Sequence, residues 1–315
     1  MLQAFLLSLI LTVLFMPFFI HFMRQRQFGQ VTREEGPSWH QEKSGTPAMG
    51  GLVFIAAIIV AVLLTMLSKG QFDSKVIVII LGLLFFGGIG FADDFLKIFK
   101  KQNEGLTSKQ KFLSQVIGSA IIMGILLIDN VPLSLPLPFF DSITNGLVIF
   151  IFLLIWITGF SNAFNLTDGL DGLSSGTGIV SFVTLALFAL RNQQESIAMT
   201  CFAIVGGLLG FLIFNKKPAK IFMGDAGSLA MGAVLAIISM LLQNPWILLL
   251  VALINIIETL SVMLQVTSFK LTGKRIFLMS PIHHHFEMKG WSEWKIDIVF
   301  WLTQMVASII AWFIF

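Results

Sequence analysis

VIVIILGLLFFGGIGFADD, residues 76–94, is the stretch on which the fold turns. No charge occurs from Val76 to Ala92, and Asp93 and Asp94 follow at once. A helix needs about 20 mostly apolar residues to cross the hydrocarbon core, fewer when its ends are interfacial. The stretch therefore predicts a membrane-spanning helix that ends on two adjacent carboxylates at the bilayer surface. The rest of the chain repeats the pattern. Hydrophobic residues make up 56% of it and charged residues 12%, with a mean hydropathy of +0.90, outside soluble globular usage. Ten spans are expected, at 2–23, 48–68, 76–92, 112–128, 144–160, 173–190, 196–214, 228–242, 246–266 and 296–315. They are expected to be helices, because a bilayer leaves unpaired backbone groups no water and the alternation of a membrane β-barrel is absent.

The basic residues orient these spans. Of 20 Lys and Arg residues, all but Lys69, Lys75 and Arg191 fall in the loops 24–47, 93–111, 161–172, 215–227 and 267–295. Ten spans put those loops on one side, and the positive-inside rule makes it cytoplasmic with both termini outside the cytoplasm. The first span lacks a basic leader and a small-residue cleavage site, with Arg24 and Arg26 following it, so it is expected to be a retained helix. Cys201 falls inside a span as a buried structural thiol, and a single cysteine excludes an intrachain disulfide. The net charge of +3 is explained by positive-inside loops and anionic lipid headgroups, with no nucleic-acid partner. The Pro-rich segment 129–143 predicts a small extended hairpin on the outer surface. No repeat divides the chain, so residues 1–315 read as one all-α integral membrane domain.

Nearly all the unusual polar residues sit in the predicted cytoplasmic loops. Adjacent carboxylates such as Asp93 and Asp94 raise one another's pKa or require a cation. Lys97, one turn on, can pair with either or meet a phosphate. Lys109 and Lys111 open the fourth span, where an ammonium either reaches a lipid phosphate or snorkels. In NLTDGLDGLS, residues 165–174, Asp168 and Asp171 share a face if the segment is helical. Carboxylates with the Asn165 carboxamide, and no sulfur, favour a hard cation such as Mg2+ over zinc. Asp225 in Met223-Gly224-Asp225 reads either as an acid capping the eighth span or as a second metal-site carboxylate. Phe222 beside it either packs in the interface or stacks on a planar base. In PIHHHFE, residues 281–287, three consecutive imidazoles cannot all face one ion in a regular helix, so diphosphate binding fits better than zinc. Glu258 and Asn255 lie within the ninth span, as a functional site or as a satisfied contact between helices.

Taken together, these motifs resemble the polyprenyl-phosphate N-acetylhexosamine-1-phosphate transferase superfamily, from Gly45 to Trp291. Asp93-Asp94, the Asn165–Asp171 segment and Met223–Asp225 carry that likeness. PIHHHFE points to its muramoyl-pentapeptide branch. The resemblance implies ten transmembrane helices, an active site on the cytoplasmic face of the bacterial plasma membrane, Mg2+ dependence and a homodimer. It implies transfer of phospho-MurNAc-pentapeptide from UDP-MurNAc-pentapeptide to undecaprenyl phosphate, giving lipid I and UMP in peptidoglycan synthesis. Asp93 would match a general base on the lipid phosphate, supported by Asp94, with Asp225 as metal ligand and Asn165 at the metal or diphosphate. Asp168 and Asp171 would lie at the nucleotide end, with Asn215 and Phe222 near uridine. His283, His284 and His285 would meet the diphosphate or sugar, with His284 in the catalytic set; Lys43, Thr46, Lys97 and Lys111 would line the substrate site. The alternatives are a sister transferase using UDP-N-acetylglucosamine and, in a different class, an ion-coupled transporter. Acids gathered at one face, rather than at the midplane, speak against the transporter.

Overall fold

The computed structural model describes residues 1–26, 45–70, 72–100, 105–128, 131, 134–137 and 140–315. Twelve helices are found among them. In chain order they are α1 (Leu2–Gln25), α2 (Gly51–Lys69), α3 (Ser74–Lys100), α4 (Ser108–Ile128), α5 (Gly146–Thr167), α6 (Leu173–Arg191), α7 (Glu195–Asn215), α8 (Gly224–Leu241), α9 (Leu248–Val251), α10 (Leu253–Thr272), α11 (Ile282–Met288) and α12 (Glu293–Ile314). Nine of the described helices are long and apolar enough to cross a membrane, or ten if one bent pair forms a span. The chain is a multi-pass membrane protein.

The bent pair corrects the expectation of a continuous ninth span over 246–266. A 3-10 turn at Pro245–Ile247 leads into α9, and α10 then leaves at 82°. The break falls at Ala252, where no proline or glycine announces it. Polar side chains from other helices satisfy the freed backbone groups, as a buried break requires. Gln304 of α12 donates to the carbonyls of Leu250 and Val251 at 2.9 and 2.7 Å, and its Oε1 accepts from the amide of Ile254 at 3.1 Å. Ser181 of α6 also donates to Val251. Of the hairpin expected over 129–143, the described residues show the strand pair: β1 (Leu135–Leu137) and β2 (Phe140–Ile143) are antiparallel, with Leu135 opposite Ile143.

Small residues decide the packing. Every residue of α8 from Ala226 to Leu241 is buried. Its neighbours approach to backbone contact at glycines, where dispersion replaces the hydrophobic effect as the driving force between membrane helices. A Cβ on Gly90 of α3 would overlap the backbone of Asp225 and Ala226, one on Gly51 of α2 would meet Gly227, and one on Gly232 would meet the Phe160 carbonyl of α5. Likewise, Gly206 and Gly210 of α7 admit α1 against Phe5, Leu9 and Thr12. α1 is thus part of the packed bundle. Arg191, at the end of α6, donates to the Phe315 carbonyl, placing the C-terminus at the far end of α6 from Gly172.

Candidate active site

The glycines that draw α3 onto α8 also bring together the acids at the ends of those helices. One carboxylate oxygen from each of Asp93, Asp94 and Asp225 lies within 4.8 Å of the others. Carboxylates at that separation repel by about 3–4 kcal/mol per pair at an effective dielectric of about 20, so cations must accompany them. Two are built in. Lys97 Nζ lies 2.5 Å from Asp93 Oδ2 and 3.2 Å from Asp225 Oδ2. Lys111 Nζ, from the first turn of α4, lies 2.5 Å from Asp225 Oδ2 and 3.6 Å from Asp93 Oδ2. Asn165 of α5 completes the ring, donating to Asp225 Oδ1 and Ser228 Oγ at 2.8 Å each. The expected pairing of Lys97 with the acids is thus present, and Lys111 reaches into the cluster.

Two of the acids each hold a different piece of backbone. Asp93 Oδ1 accepts the Leu106 amide at 2.8 Å, tying down the approach to α4. Asp94 Oδ2 accepts the Ala226 amide at 3.1 Å. Asp94 therefore satisfies one of the free amides at the start of α8 from a different helix. Asp225 sits in that first turn without capping it, so of its two readings the capping one falls to Asp94. Three carboxylates against two ammonium groups leave the cluster net acidic. Its all-oxygen donors suit a hard divalent cation. Among the described residues it is the one group of His, Cys, Asp or Glu placed to hold a metal ion.

The remaining predicted residues frame this cluster. α5 ends at Thr167, so Asp168 and Asp171 fall in a turn and do not share a helix face. Asp168 Oδ1 accepts from Ser174 at 2.5 Å, and burial pushes its carboxyl up to about 8. Asp171 Oδ2 accepts the Ala219 amide at 3.0 Å. Asn215 is buried, accepts from Gly172 N and Ser175 Oγ at 3.1 and 2.9 Å, and donates to the Ile221 carbonyl at 3.1 Å. These bonds join the 168–172 turn to the 215–221 turn. Lys217 adds a third anchor, 2.7 Å from Glu293 of α12. Phe222 packs with Met23, Ala48 and Met49, and its amide donates to the Pro47 carbonyl at 2.8 Å, which places Thr46 beside it in sequence. Lys43 lies outside the described residues.

The three histidines turn to three partners. His283 Nδ1 lies 3.1 Å from Glu258 Oε1, and His284 Nδ1 lies 2.6 Å from Glu287 Oε2. His285 Nδ1 accepts the Leu278 amide at 3.1 Å; burial and then the Lys289 ammonium push this imidazole down. Ser228 and Ser174, which complete the polar wiring, carry no signal beyond lying in the marked segments.

The family model for glycosyl transferase family 4 matches residues 76–243, from the start of the first quoted stretch through α8. Such a match, with a buried acid–lysine cluster in a multi-pass bundle, defines a membrane-embedded glycosyl transferase. A phospho-N-acetylmuramoyl-pentapeptide-transferase of Lactobacillus gasseri is 49% identical over 306 residues, covering 97% of this chain and 96% of its own. One of Enterococcus hirae is 52% identical over 309 residues, covering 98% and 96%. One of Lactiplantibacillus plantarum is 52% identical over 296 residues, covering 94% and 92%. The chain belongs to the phospho-N-acetylmuramoyl-pentapeptide-transferase family, whose members are phosphoglycosyl transferases.

Proposed function

We infer that the cluster of Asp93, Asp94, Asp225, Lys97, Lys111 and Asn165 is where this chain carries out its family's reaction. That reaction transfers phospho-MurNAc-pentapeptide from UDP-MurNAc-pentapeptide to undecaprenyl phosphate, giving lipid I and UMP. The observation that carries the reading is the convergence of three carboxylates and two ammonium groups at one end of the bundle.

Two anionic phosphates must meet, and their mutual repulsion is the main electrostatic obstacle. Lys97 and Lys111 offset it, each placed to exchange a carboxylate for a phosphate oxygen. Asp93 takes the proton from the lipid phosphate, whose oxygen forms a bond to the β-phosphorus of the donor as the bond to UMP breaks. Asp225, with Asn165 at the metal or the diphosphate and Asp94 alongside, would hold Mg2+, which would supply charge neutralisation and orientation of the diphosphate. Asp94 is engaged as the partner of the Ala226 amide, which favours direct attack over an aspartyl-phosphate on Asp94. The turns 168–172 and 215–222 lie at the uridine end, with His284 and His285 toward the sugar diphosphate and Lys43 and Thr46 along the substrate path. The skew of Lys and Arg supports a cytoplasmic site in the plasma membrane with both termini outside. One polytopic domain over residues 1–315, paired as a homodimer, belongs to the same reading.

The experiment is UMP release from the purified chain with Mg2+ and undecaprenyl phosphate, comparing UDP-MurNAc-pentapeptide with UDP-N-acetylglucosamine. Release only with the muramoyl donor, and only with lipid present, is expected. Release with the other donor moves the chain to the sister branch; silence with both from folded protein refutes the reading. Asp225→Asn is expected to fold and lose most turnover, and near-normal activity at ordinary Mg2+ would sink the metal assignment. A phosphoenzyme trapped with donor alone would count against direct attack. Native mass spectrometry of the protein in lipid tests the dimer.

A further inference from the structure

Two polar side chains buried in the bundle take no part in the acid cluster. Glu258 on α10 is 0% exposed and the His283 side chain 1%. Their facing atoms are 3.1 Å apart, and no hydrogen-bond partner for either side chain is found among the described residues. A buried carboxylate is tolerated only against a paired group. Glu258 and His283 therefore depend on one another.

The pair has a direction. Beyond the imidazole, on its Nε2 side, lies Gly169, where a Cβ would overlap the ring. Gly169 stands in the turn that carries Asp168 and Asp171. Asn255, one turn before Glu258 and on the same face of α10, donates to Thr167 Oγ1 at 2.9 Å. Two side chains of α10 thus reach the same short segment, one directly and one through an imidazole. α10 is a firm base for them, because its start is held by Gln304 at the break. A carboxylate 3.1 Å from Nδ1, on the opposite side of the ring from Gly169, restrains how the imidazole is turned.

We propose that Glu258 is a positioning residue: acting through His283, it sets the 168–171 turn against the acid cluster. The proposal deepens the reading of the previous subsection and rests on it only for the effect on turnover.

The test is a double-mutant cycle on the full chain with Glu258→Ala, His283→Ala and the double variant, and with Glu258→Gln as the conservative change. The first readout is hydrogen–deuterium exchange of the segment 165–172, which needs no activity. Each single variant is expected to speed exchange there and leave the far end of the bundle unchanged, with the double variant no faster than His283→Ala. The second readout is donor kcat/KM. It is expected to fall about tenfold or more in each single variant, no further in the double, and to recover in Glu258→Gln. Losses that multiply, exchange that rises throughout the bundle, or a Glu258→Gln as defective as Glu258→Ala overturns the proposal. If Glu258→Ala does not fold, Glu258→Leu carries the cycle, filling the volume with an apolar side chain. Absence of turnover in the parent chain would refute the proposed function while the exchange cycle still decides the positioning role.

Discussion

Replacing Gly90 with alanine adds one methyl group where α3 crosses α8. The new Cβ would overlap the backbone of Asp225 and Ala226, which cannot swing aside as a side chain would. Restoring ordinary contact at about 3.5–4.0 Å requires the helices to part by more than about 1 Å. The Ala226 amide is 3.1 Å from Asp94 Oδ2 and Lys97 Nζ is 3.2 Å from Asp225 Oδ2; a shift of that size takes both beyond hydrogen-bond reach. Overpacking of this kind costs about 1–3 kcal/mol of stability. Misplacing reacting groups by about 1 Å costs on the order of 10²-fold in rate. Gly90→Ala is therefore expected to fold, with a lowered melting temperature, and to release UMP on the order of 100-fold more slowly. Gly88→Ala is the control: it lies on the same helix, and a Cβ there meets nothing within 4 Å. It should keep full turnover and gain about 0.5–1 kcal/mol from helix propensity. Turnover of Gly90→Ala close to that of Gly88→Ala would refute the claim that this crossing sets the acid cluster.

Asp168, raised by burial to about 8, holds its proton more tightly in the folded chain than in the unfolded one. Its contribution to stability is therefore full below about pH 4 and lost as pH rises to about 8. Asp168→Asn cannot ionise, so its melting temperature should climb relative to the parent chain across that window and level off above it; a pH-independent gap refutes this. Gln304→Leu leaves Leu250 O and Ile254 N without their partner, while Val251 O keeps Ser181. At about 1–3 kcal/mol per buried orphan, it should lower thermal stability more than any single surface substitution, and a normal melting curve would be inconsistent with Gln304 holding the break. Asp94→Asn keeps an oxygen for the Ala226 amide and should fold normally with reduced turnover, whereas Asp94→Ala should also lose about 1 kcal/mol of capping; equal melting temperatures would show that Asp94 does not cap α8. Asn215→Ala severs the link between the two turns and should raise donor KM more than it lowers kcat, as steady-state kinetics would reveal.

The membrane class, the spans and the polar segments were legible in the sequence, because each depends on composition along a short run. A segment such as Val76–Ala92 must be a buried or membrane-embedded helix whatever surrounds it. The acids to examine were equally legible, since paired carboxylates at the end of an apolar run need a local cause. Their membership of one cluster was accessible only through resemblance. The contact between Asp93 of α3 and Asp225 of α8 is made by Gly90 meeting the α8 backbone, and sequence patterns are silent on which helix a glycine admits.

Tertiary structure decided three things that no local pattern contains. It broke the ninth span at Ala252, where the sequence stays apolar, because Gln304 and Ser181 arrive from α12 and α6 to satisfy the freed backbone. It gave the capping of α8 to Asp94, because the free amides of a helix donate to any carboxylate brought to them. It also turned the three adjacent histidines to three different partners, with His283 facing Glu258 inside the bundle. Hydrophobic runs and charge asymmetry fix which residues enter a membrane, because transfer free energy is a sum over residues. Which polar groups then meet depends on how closely the helices approach, and that is settled between residues far apart in the chain.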